Sequence, residues 1–218
     1  MNQQERGICL KNEQKRAYYE MLKPAIERLR GKNPEEIARK AGVLFHPEDS
    51  ALQVPILGKT YEFYLPTYTC RGEIEEWLHL VTLHYLDLAD GTPVSWQLIT
   101  FGNMKDGLIR GTGFDRTADI ELQRILKGKN PEQIKSVCQK MGTDFAPNGN
   151  SDVCVVLPFL PQIPLVLKVW FADEEFDATG KLLLTASADH YLTIEDAVTV
   201  GEIALKQIKI QFEKERPS

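Results

Sequence analysis

The stretch GKNPEEIARKAG, residues 31–42, has a second copy in GKNPEQIKSVCQKMG, residues 128–142. In each copy an asparagine precedes a proline and at least one glutamate. An asparagine side chain accepts a hydrogen bond from a free N–H of a first helical turn, and proline at the first helical position loses no bond. A glutamate there faces the positive end of the helix dipole. The two copies therefore predict helices over residues 34–41 and 131–141.

The likeness between the copies extends beyond the capped helices. GVLFHP, residues 42–47, matches GTDFAP, residues 142–147, in its glycine, phenylalanine and proline. A longer helix is predicted before each copy, at about residues 11–30 and 115–127, and no GxxxxGK[ST] pattern makes the repeat a phosphate loop. Each half later reaches the tripeptide HYL. The simplest account is an internal duplication of a unit that runs helix, short helix, strands, helix.

We therefore predict an α+β fold in which two pseudo-symmetric halves, approximately residues 11–92 and 115–213, pack around a sheet. At 218 residues the chain is long enough to bury a sizeable core, and we expect a single domain, residues 1–218. The predicted extended segments are ALQVPILGKTYEFYLP (51–66), VCVVLPFLPQIPLVLKVWF (153–171) and KLLLTASA (181–188).

Composition limits the classes of function. Hydrophobic residues make up 43% and charged residues 26% of the chain, which is typical of a soluble globular protein. The net charge of −5 argues against broad binding to nucleic acid or to an acidic membrane face. No apolar run reaches the roughly 18–20 residues of a membrane span, and the N-terminal stretch lacks the apolar core of a signal peptide. We expect a cytoplasmic protein with neither nucleic acid nor membrane as partner.

The cysteines suggest no disulfide framework. Cys9, Cys70, Cys138 and Cys154 form no CxxC pair and have no zinc-finger spacing. Free thiols are the default in a reducing cytoplasm, so we expect all four to be reduced. The alternative that the sequence leaves open is a metal site assembled in space from distant cysteines.

Acidic residues and a histidine gather in two segments of the second half, WFADEEFDATG and ASADHYLTIEDA. The candidate binding residues in them are Asp173, Glu174, Glu175, Asp189, His190, Tyr191 and Glu195. Carboxylates with a histidine near strand ends bind a divalent metal or serve in acid–base catalysis. The structural alternative is that the first segment forms a solvated turn, and that Thr193, with Asp196 three residues later, only caps a helix.

His190 lies just ahead of this capped helix, in a loop or at a strand end, whereas the helical pattern around His84 places that residue inside or near the end of a helix. A strand–turn–strand connection through residues 177–180 separates Asp173–Glu175 from Asp189–His190. The sequence leaves open whether the two groups meet or lie at opposite ends. We expect His190 to face a pocket, because N–H groups near a helix start suit a small anionic ligand.

Two further patterns carry weaker signals. Glu76 and His79 have the Glu-x-x-His spacing of di-iron bundles, but the second half offers no matching pair, so we expect a solvated, ion-paired helix face. GLIRGTGFDR, residues 107–116, is rich in glycine but lacks the order of a dinucleotide fingerprint. We predict a mobile loop there, in which Arg110 and Arg116 are candidates for contact with an anion.

Three longer segments carry a family resemblance: LHYLDLADGTPVSWQLITF (83–101), LPFLPQIPLVLKVWFADEEF (157–176) and ASADHYLTIEDAVTVGE (186–202). In this order they resemble the family called domain of unknown function 3786, over about residues 15–210. The resemblance implies a family of anaerobic microbes without an assigned activity, some members of which carry a cysteine-rich iron–sulfur domain. This chain has no cysteine cluster at either end, so no iron–sulfur cluster is expected within it, and its cofactor is unknown.

Two functions are compatible with these patterns. The first is a soluble accessory or ligand-binding protein that takes a small anionic ligand, or a redox or corrinoid protein partner, in anaerobic redox or metal-cofactor metabolism. It follows from the lack of a catalytic motif in the sequence and from the family resemblance. The second is a metal-assisted or acid–base enzyme, hydrolase-like, that uses the cluster of the second half. That enzyme requires His190 and at least two of Asp173, Glu175, Asp189 and Glu195 at one cleft.

Overall fold

The structure, a computed structural model, describes residues 3–144 and 150–214. The α+β class is confirmed, with six helices and two antiparallel sheets among these residues. By their internal contacts the residues divide into two compact units. The first unit runs up to Val54 and resumes from Thr60 to Gly91, and the second comprises Pro55–Lys59 and the chain from Thr92 onward. That the whole chain behaves as a single domain stays a prediction.

Residues 3–91 form three helices and a four-stranded sheet. In chain order the elements are α1 (Gln3–Arg30), α2 (Pro34–Ala41), β1 (Leu44–His46), β2 (Ala51–Ile56), β3 (Lys59–Tyr64), β4 (Thr69–Cys70) and α3 (Glu76–Leu88). The sheet order is β1-β2-β3-β4, so each strand lies beside its neighbour in sequence. Leu29 of α1, Leu52 of β2, Phe63 of β3 and Leu83 of α3 are fully buried, so apolar side chains from both helices and sheet form one core.

Residues 92–214 form a five-stranded sheet and three helices in the described part of the chain. The elements are β5 (Leu98–Ile99), α4 (Arg110–Leu126), α5 (Pro131–Met141), β6 (Thr143–Asp144), β7 (Val153–Leu160), β8 (Ile163–Trp170), β9 (Thr179–Thr185) and α6 (Ile194–Lys214). Short 3-10 helices cover residues 101–103 and 186–190. The sheet order is β5-β9-β8-β7-β6. Its central strand β8 is buried over its first seven residues, as a strand covered on both faces should be.

The predicted starts of both short helices are confirmed. The Oδ1 atom of Asn33 accepts hydrogen bonds from the N–H groups of Glu35, at 2.8 Å, and Glu36, at 3.4 Å. Asn130 forms the fuller arrangement, because its side chain accepts from the N–H of Gln133 at 2.9 Å while the Gln133 side chain accepts from the N–H of Asn130 at 3.1 Å. This reciprocal pair is a capping box.

The two units share an element order that a duplication predicts. The first runs α1, α2, four strands, α3, and the second runs α4, α5, four strands, α6, with β5 added ahead of α4. The sequence match at residues 145–147 of the second copy lies outside the described residues. The internal duplication itself stays a prediction.

The prediction of a loop over residues 107–116 was wrong from Arg110 onward, because α4 begins there. The two glycines of the first helical turn misled the prediction, since glycine weakens a helix interior. For Gly111 the structure shows why glycine is required. A Cβ on Gly111 would lie 2.1 Å from the carbonyl oxygen of Phe101, so only glycine lets the helix approach this 3-10 turn. Asp115 fixes the same turn by accepting hydrogen bonds from the N–H groups of Phe101 and Gly102, at 3.0 and 2.8 Å.

Among the helices in the described ranges, none combines the length and the apolar character that are needed to cross a membrane.

Candidate functional site

The acidic loop after β8 is closed by its own first aspartate. The Oδ1 atom of Asp173 accepts hydrogen bonds from the N–H groups of Phe176, at 2.7 Å, and Glu175, at 2.9 Å. These two bonds hold the pKa of Asp173 below its usual value. The side chains of Asp173, Glu174 and Glu175 are exposed. Asp173 therefore has an evident structural role, as an Asx turn, within the loop between β8 and β9.

The second predicted group, after β9, holds the segment that leads into β5. Nδ1 of His190 lies 3.1 Å from the hydroxyl of Thr92, and the hydroxyl of Tyr191 donates to the carbonyl of the same threonine. Tyr191 is fully buried, whereas His190 is exposed. Oδ1 of Asp189, also exposed, accepts from the N–H of Lys105 at 3.0 Å. These contacts are those of side chains that fix neighbouring backbone.

The structure decides that the two acidic groups lie at opposite ends of β9. Asp173–Glu175 precede this strand and Asp189–His190 follow it. The strand has seven residues, and at about 3.3 Å per residue its ends are roughly 20 Å apart. Within the described residues no three side chains of histidine, cysteine, aspartate or glutamate are grouped to hold a metal ion. The predicted cluster is thus two separate groups.

Two of the predicted site residues, Arg110 and Glu195, are in direct side-chain contact. Nε of Arg110 lies 3.1 Å from Oε2 of Glu195, and Nη2 lies 3.9 Å from Oε1 of Glu202. The contact links the N-terminal turns of α4 and α6. The predicted cap of α6 is confirmed beside it, because the hydroxyl of Thr193 accepts from the N–H of Asp196 at 3.2 Å.

A groove lies between α4 and α6, beginning at this ion pair. On the side of α4 it is lined by Ile109, which precedes the helix, and by Arg110, Gly113, Phe114, Thr117 and Glu121. From α6 it is lined by Val198, Glu202, Leu205, Lys206 and Lys209. Its volume is about 720 Å³. The buried side chains of Phe114, Val198 and Leu205 form its floor, and we call it the apolar groove.

A second cavity of about 490 Å³ adjoins the apolar groove at the C-terminal ends of the same helices. Its lining includes four cations, Arg124, Lys127, Lys129 and Lys209, and two carboxylates, Glu121 and Glu213. We call it the basic pocket. The apolar groove and the basic pocket share Glu121 and Lys209, so the two cavities adjoin along α4 and α6.

The basic pocket keeps a positive charge after its internal pairs are counted. Glu121 contacts both Lys209, at 2.9 Å, and Arg124, at 3.6 Å. Four cations against two carboxylates leave two positive charges. The C-terminus of α6 contributes about half a negative charge. The negative C-terminus of α4 and the positive N-terminus of α5 are separated by four residues, so their partial charges roughly cancel. A surplus above one positive charge remains, on a chain whose net charge is −5.

The two lysines of this surplus are held by the loop between α4 and α5. Gly128 between them has a φ of +71°, a conformation that glycine adopts without strain. The N–H of Lys129 bonds to the carbonyl of Leu126 at 3.1 Å. The ammonium of Lys129 lies 5.7 Å from the centre of the Phe212 ring, a cation–π contact that holds this half-buried side chain over the pocket.

Sequence reasoning missed the basic pocket, although one of its cations, Lys129, stands in the repeat that set the fold. Lys127 and Lys129 flank the glycine of GKNPE, where the cap explained the pattern without them. Arg124 and Lys209 are single charges on exposed helix faces, and such charges are ordinary. Their convergence depends on how α4 and α6 pack. The one sequence signal was the density of cations around residues 124–129.

The first unit contains a cleft that sequence reasoning also misjudged. His79 is buried, with 7% of its surface exposed, so the predicted solvated and ion-paired face was wrong for this residue. Its Nδ1 lies 2.8 Å from the hydroxyl of Tyr18, and its Nε2 lies 2.9 Å from the carbonyl oxygen of Tyr68. The carbonyl can only accept, so Nε2 carries the proton and the Tyr18 hydroxyl donates to Nδ1. The reason for the burial is that α3 is apolar around most of its circumference.

Burial shifts the pKa values of both His79 and Tyr18. It lowers the pKa of His79, against the opposing hydrogen bond to Tyr68, and it raises the pKa of Tyr18 to about 12. Both side chains line an open cleft of about 710 Å³ together with Cys70 and Glu73. Burial, and to a smaller extent the negative charge of Glu62, raise the pKa of the Cys70 thiol. The thiol is therefore a weak nucleophile at neutral pH.

Three cysteines can be assessed in the structure. Cys70, Cys138 and Cys154 form no disulfide, and Cys138 is fully buried. The side chain of Cys9 lies outside the described residues.

Comparisons with known proteins gave one match. No curated protein and no solved structure matches the chain. A family model, described as Domain of unknown function (DUF3786), matches residues 33–207. This range contains both capped helices, both sheets and most of the lining of the apolar groove, and it covers well over half of the chain. The chain therefore belongs to the family described as Domain of unknown function (DUF3786).

Proposed function

We propose that the chain is a ligand-binding protein whose second unit holds a small anion in the basic pocket. The observation that carries the proposal is the surplus of positive charge in a concave site on an acidic protein. A ligand carboxylate or phosphate gains there from several cations at once, and electrostatic attraction of this kind also concentrates an anion at the site.

Two of the four cations are available to such a ligand. Lys127 and Lys129 form no ion pair within the described ranges, whereas Lys209 and Arg124 share Glu121. Lys129 is also positioned in advance by the Phe212 ring, so less side-chain entropy is lost when it meets a ligand. A pocket with two free lysines and two shared cations suits a dianionic group.

The enzymatic alternative has weaker support from the arrangement of side chains. It requires His190 and at least two of the four named carboxylates at one cleft. Asp173 and Glu175 lie at the far end of β9 from His190. Glu195 pairs with Arg110, and Asp189 accepts from a backbone N–H. The lysines therefore carry the proposal, and the histidine does not.

The wider setting follows from the family resemblance. A role in anaerobic redox or metal-cofactor metabolism, with a redox or corrinoid protein as partner, stays a prediction. So does the cytoplasmic location.

Calorimetric titration with pyrophosphate and with citrate tests the proposal. We expect both to bind wild type and to bind the double variant Lys127→Gln, Lys129→Gln at least tenfold more weakly. The matched control is Lys15→Gln, Lys23→Gln, which removes the same charge from exposed positions on α1. Equal weakening in both double variants would mean that only the net charge matters, and the proposal would fail. Absence of binding to wild type would also end it.

A further inference from the structure

We infer that the anion is amphipathic: a straight-chain phosphate monoester with its acidic group in the basic pocket and its alkyl chain along the apolar groove. The inference rests on the proposed function, because it assigns the acidic group to the same four cations. What the inference adds is that the rest of the ligand is an alkyl chain.

The continuity of the two cavities supports an elongated ligand. The basic pocket and the apolar groove share Glu121 and Lys209, so the two cavities adjoin at this ion pair, and an elongated ligand that crosses the pair occupies both. Along α4, Gly113 and Arg124 are eleven residues apart, which corresponds to about 16 Å of helix. The two cavities together are therefore long in relation to a simple phosphate or citrate.

The polarity of the groove supports an alkyl chain. Its floor is made by Phe114, Val198 and Leu205, which are 6%, 1% and 7% exposed. At the end away from the basic pocket, Ile109 lines the groove and is 86% exposed. An aliphatic side chain this open to water gains when an apolar ligand covers it. The charges at that end, on Arg110 and its two glutamates, are already paired.

Gly113 gives an independent indication that the groove is kept open. It lies inside α4 and lines the groove, and a Cβ placed on it would meet nothing within 4 Å. Its backbone conformation does not require glycine either, since it has no positive φ. Glycine in a helix interior nevertheless weakens the helix relative to alanine. What its missing side chain provides at this position is space for a ligand above the apolar floor.

The alternative occupants differ in what they would need. A peptide or a second copy of the chain would be recognised through the exposed rim, and nothing in the charge pattern selects it. A membrane would have to present its lipid phosphates to a recessed pocket. A free amphipathic anion matches the basic end and the apolar floor together, so we commit to it.

The test compares butyl, hexyl and octyl phosphate, at concentrations below those at which they form micelles, with pyrophosphate as the headgroup reference. Wild type should bind each longer chain more tightly, by at most about fourfold per added methylene. The variant Gly113→Leu should retain pyrophosphate binding but lose this dependence on chain length, because its side chain fills the groove. Helical circular dichroism and the melting temperature confirm that the variant is folded.

The outcomes separate the inference from the proposed function. Pyrophosphate binding without any effect of chain length overturns the inference alone, whereas failure of every anion overturns both. Octyltrimethylammonium, a cation with the same chain, should not bind, and equal binding of it would show unselective apolar contact and contradict the inference. Sedimentation with phosphatidylglycerol vesicles, or a change of oligomeric state in Gly113→Leu, would identify a membrane or a second copy as occupant and would overturn it as well.

Discussion

The Nζ atom of Lys209 lies 2.9 Å from Oε1 of Glu121, and this ion pair joins α6 to α4 where the apolar groove meets the basic pocket. The other carboxylate oxygen of Glu121 faces Arg124 at 3.6 Å. The hydrogen bond from Lys209 is the main reason why the pKa of Glu121 is lowered. Glu121 therefore engages two of the four cations that an anionic ligand would use.

Replacing this carboxylate should favour the ligand. In Glu121→Gln, Lys209 and Arg124 lose their shared anion, so pyrophosphate should bind about fivefold more tightly, the equivalent of ~1 kcal/mol. Stability should change by less than about 0.5 kcal/mol, because both partners are solvent-exposed. Calorimetric titration measures the affinity. Glu20→Gln, which removes a glutamate paired with Arg16 on α1, is the control and should leave the affinity unchanged.

The two glycines in the first turns of α4 should respond in opposite ways to alanine. Gly113→Ala should stabilise the second unit by about 0.5–1 kcal/mol, because a methyl group fits there and alanine favours a helix. Gly111→Ala should destabilise it by about 1–3 kcal/mol, because the new Cβ would lie 2.1 Å from a backbone oxygen. Urea unfolding compares them. Equal shifts in the two variants would contradict the assigned packing.

The buried histidine predicts a pH dependence of stability in the first unit. Burial lowers the pKa of His79 in the folded state, so the unfolded chain takes up a proton first as the pH falls. The contribution is complete above the unfolded value of about 6.5 and is lost as the pH falls from there toward the folded value. His79→Gln keeps one donor and one acceptor but removes the titration. It should show a smaller fall in unfolding free energy between pH 7.5 and 5.5, and an unchanged slope would refute this origin.

From the ion pairs of Asp87 we predict a second loss of stability, at a lower pH than the one caused by His79. Its side chain is 9% exposed and contacts Arg28 at 2.6 Å and Lys32 at 2.7 Å. Burial alone would raise the pKa of Asp87, but these two cations outweigh it and lower the pKa. The stabilisation is therefore full above about pH 4 and is lost below it, as the pH falls through the folded value. Asp87→Asn should cost about 1–2 kcal/mol at pH 7, and the difference from wild type should shrink below pH 4.

The two helix caps can be compared directly. Asn33→Ala and Asn130→Ala should each cost about 0.5–2 kcal/mol. Because Asn130 belongs to a capping box, Gln133→Ala should also destabilise the protein, whereas Glu36→Ala at the matching position has no reciprocal bond to lose. Thermal unfolding of the four variants measures these costs, and a harmless Gln133→Ala would show that the box adds nothing.

The sequence predicted those parts of the fold that local chemistry determines. Asn33, Asn130 and Thr193 cap their helices as expected, because a cap depends on residues only two or three positions apart. Strands β7, β8 and β9 likewise follow from continuous apolar runs, and β8 and β9 pair antiparallel as their short connection predicts.

The candidate site was harder to predict, because it depends on packing between distant elements. Lys127 and Lys209 are far apart in sequence, and no spacing rule relates them. His79 was misjudged because its nearest charged neighbour on the helix, Glu76, suggested a polar face, whereas the long-range contacts with Tyr18 and Tyr68 bury it. Arg110 and Glu195 were both chosen as candidates, but their pairing required the orientation of α4 against α6.

The division of the chain at residues 55–59 has a consequence for recombination of the gene. These five residues belong to the second unit, where the N–H of Leu57 lies 3.2 Å from the carbonyl oxygen of Pro158 and 3.1 Å from that of Phe159. A gene segment that encodes only residues 92–218 omits them and leaves those two carbonyls without this donor. Recombination at a single breakpoint therefore cannot transfer the second unit alone, because a breakpoint ahead of Pro55 also carries residues 60–91 of the first unit. Lineages that exchange gene fragments would have to move both segments together, or keep the entire reading frame.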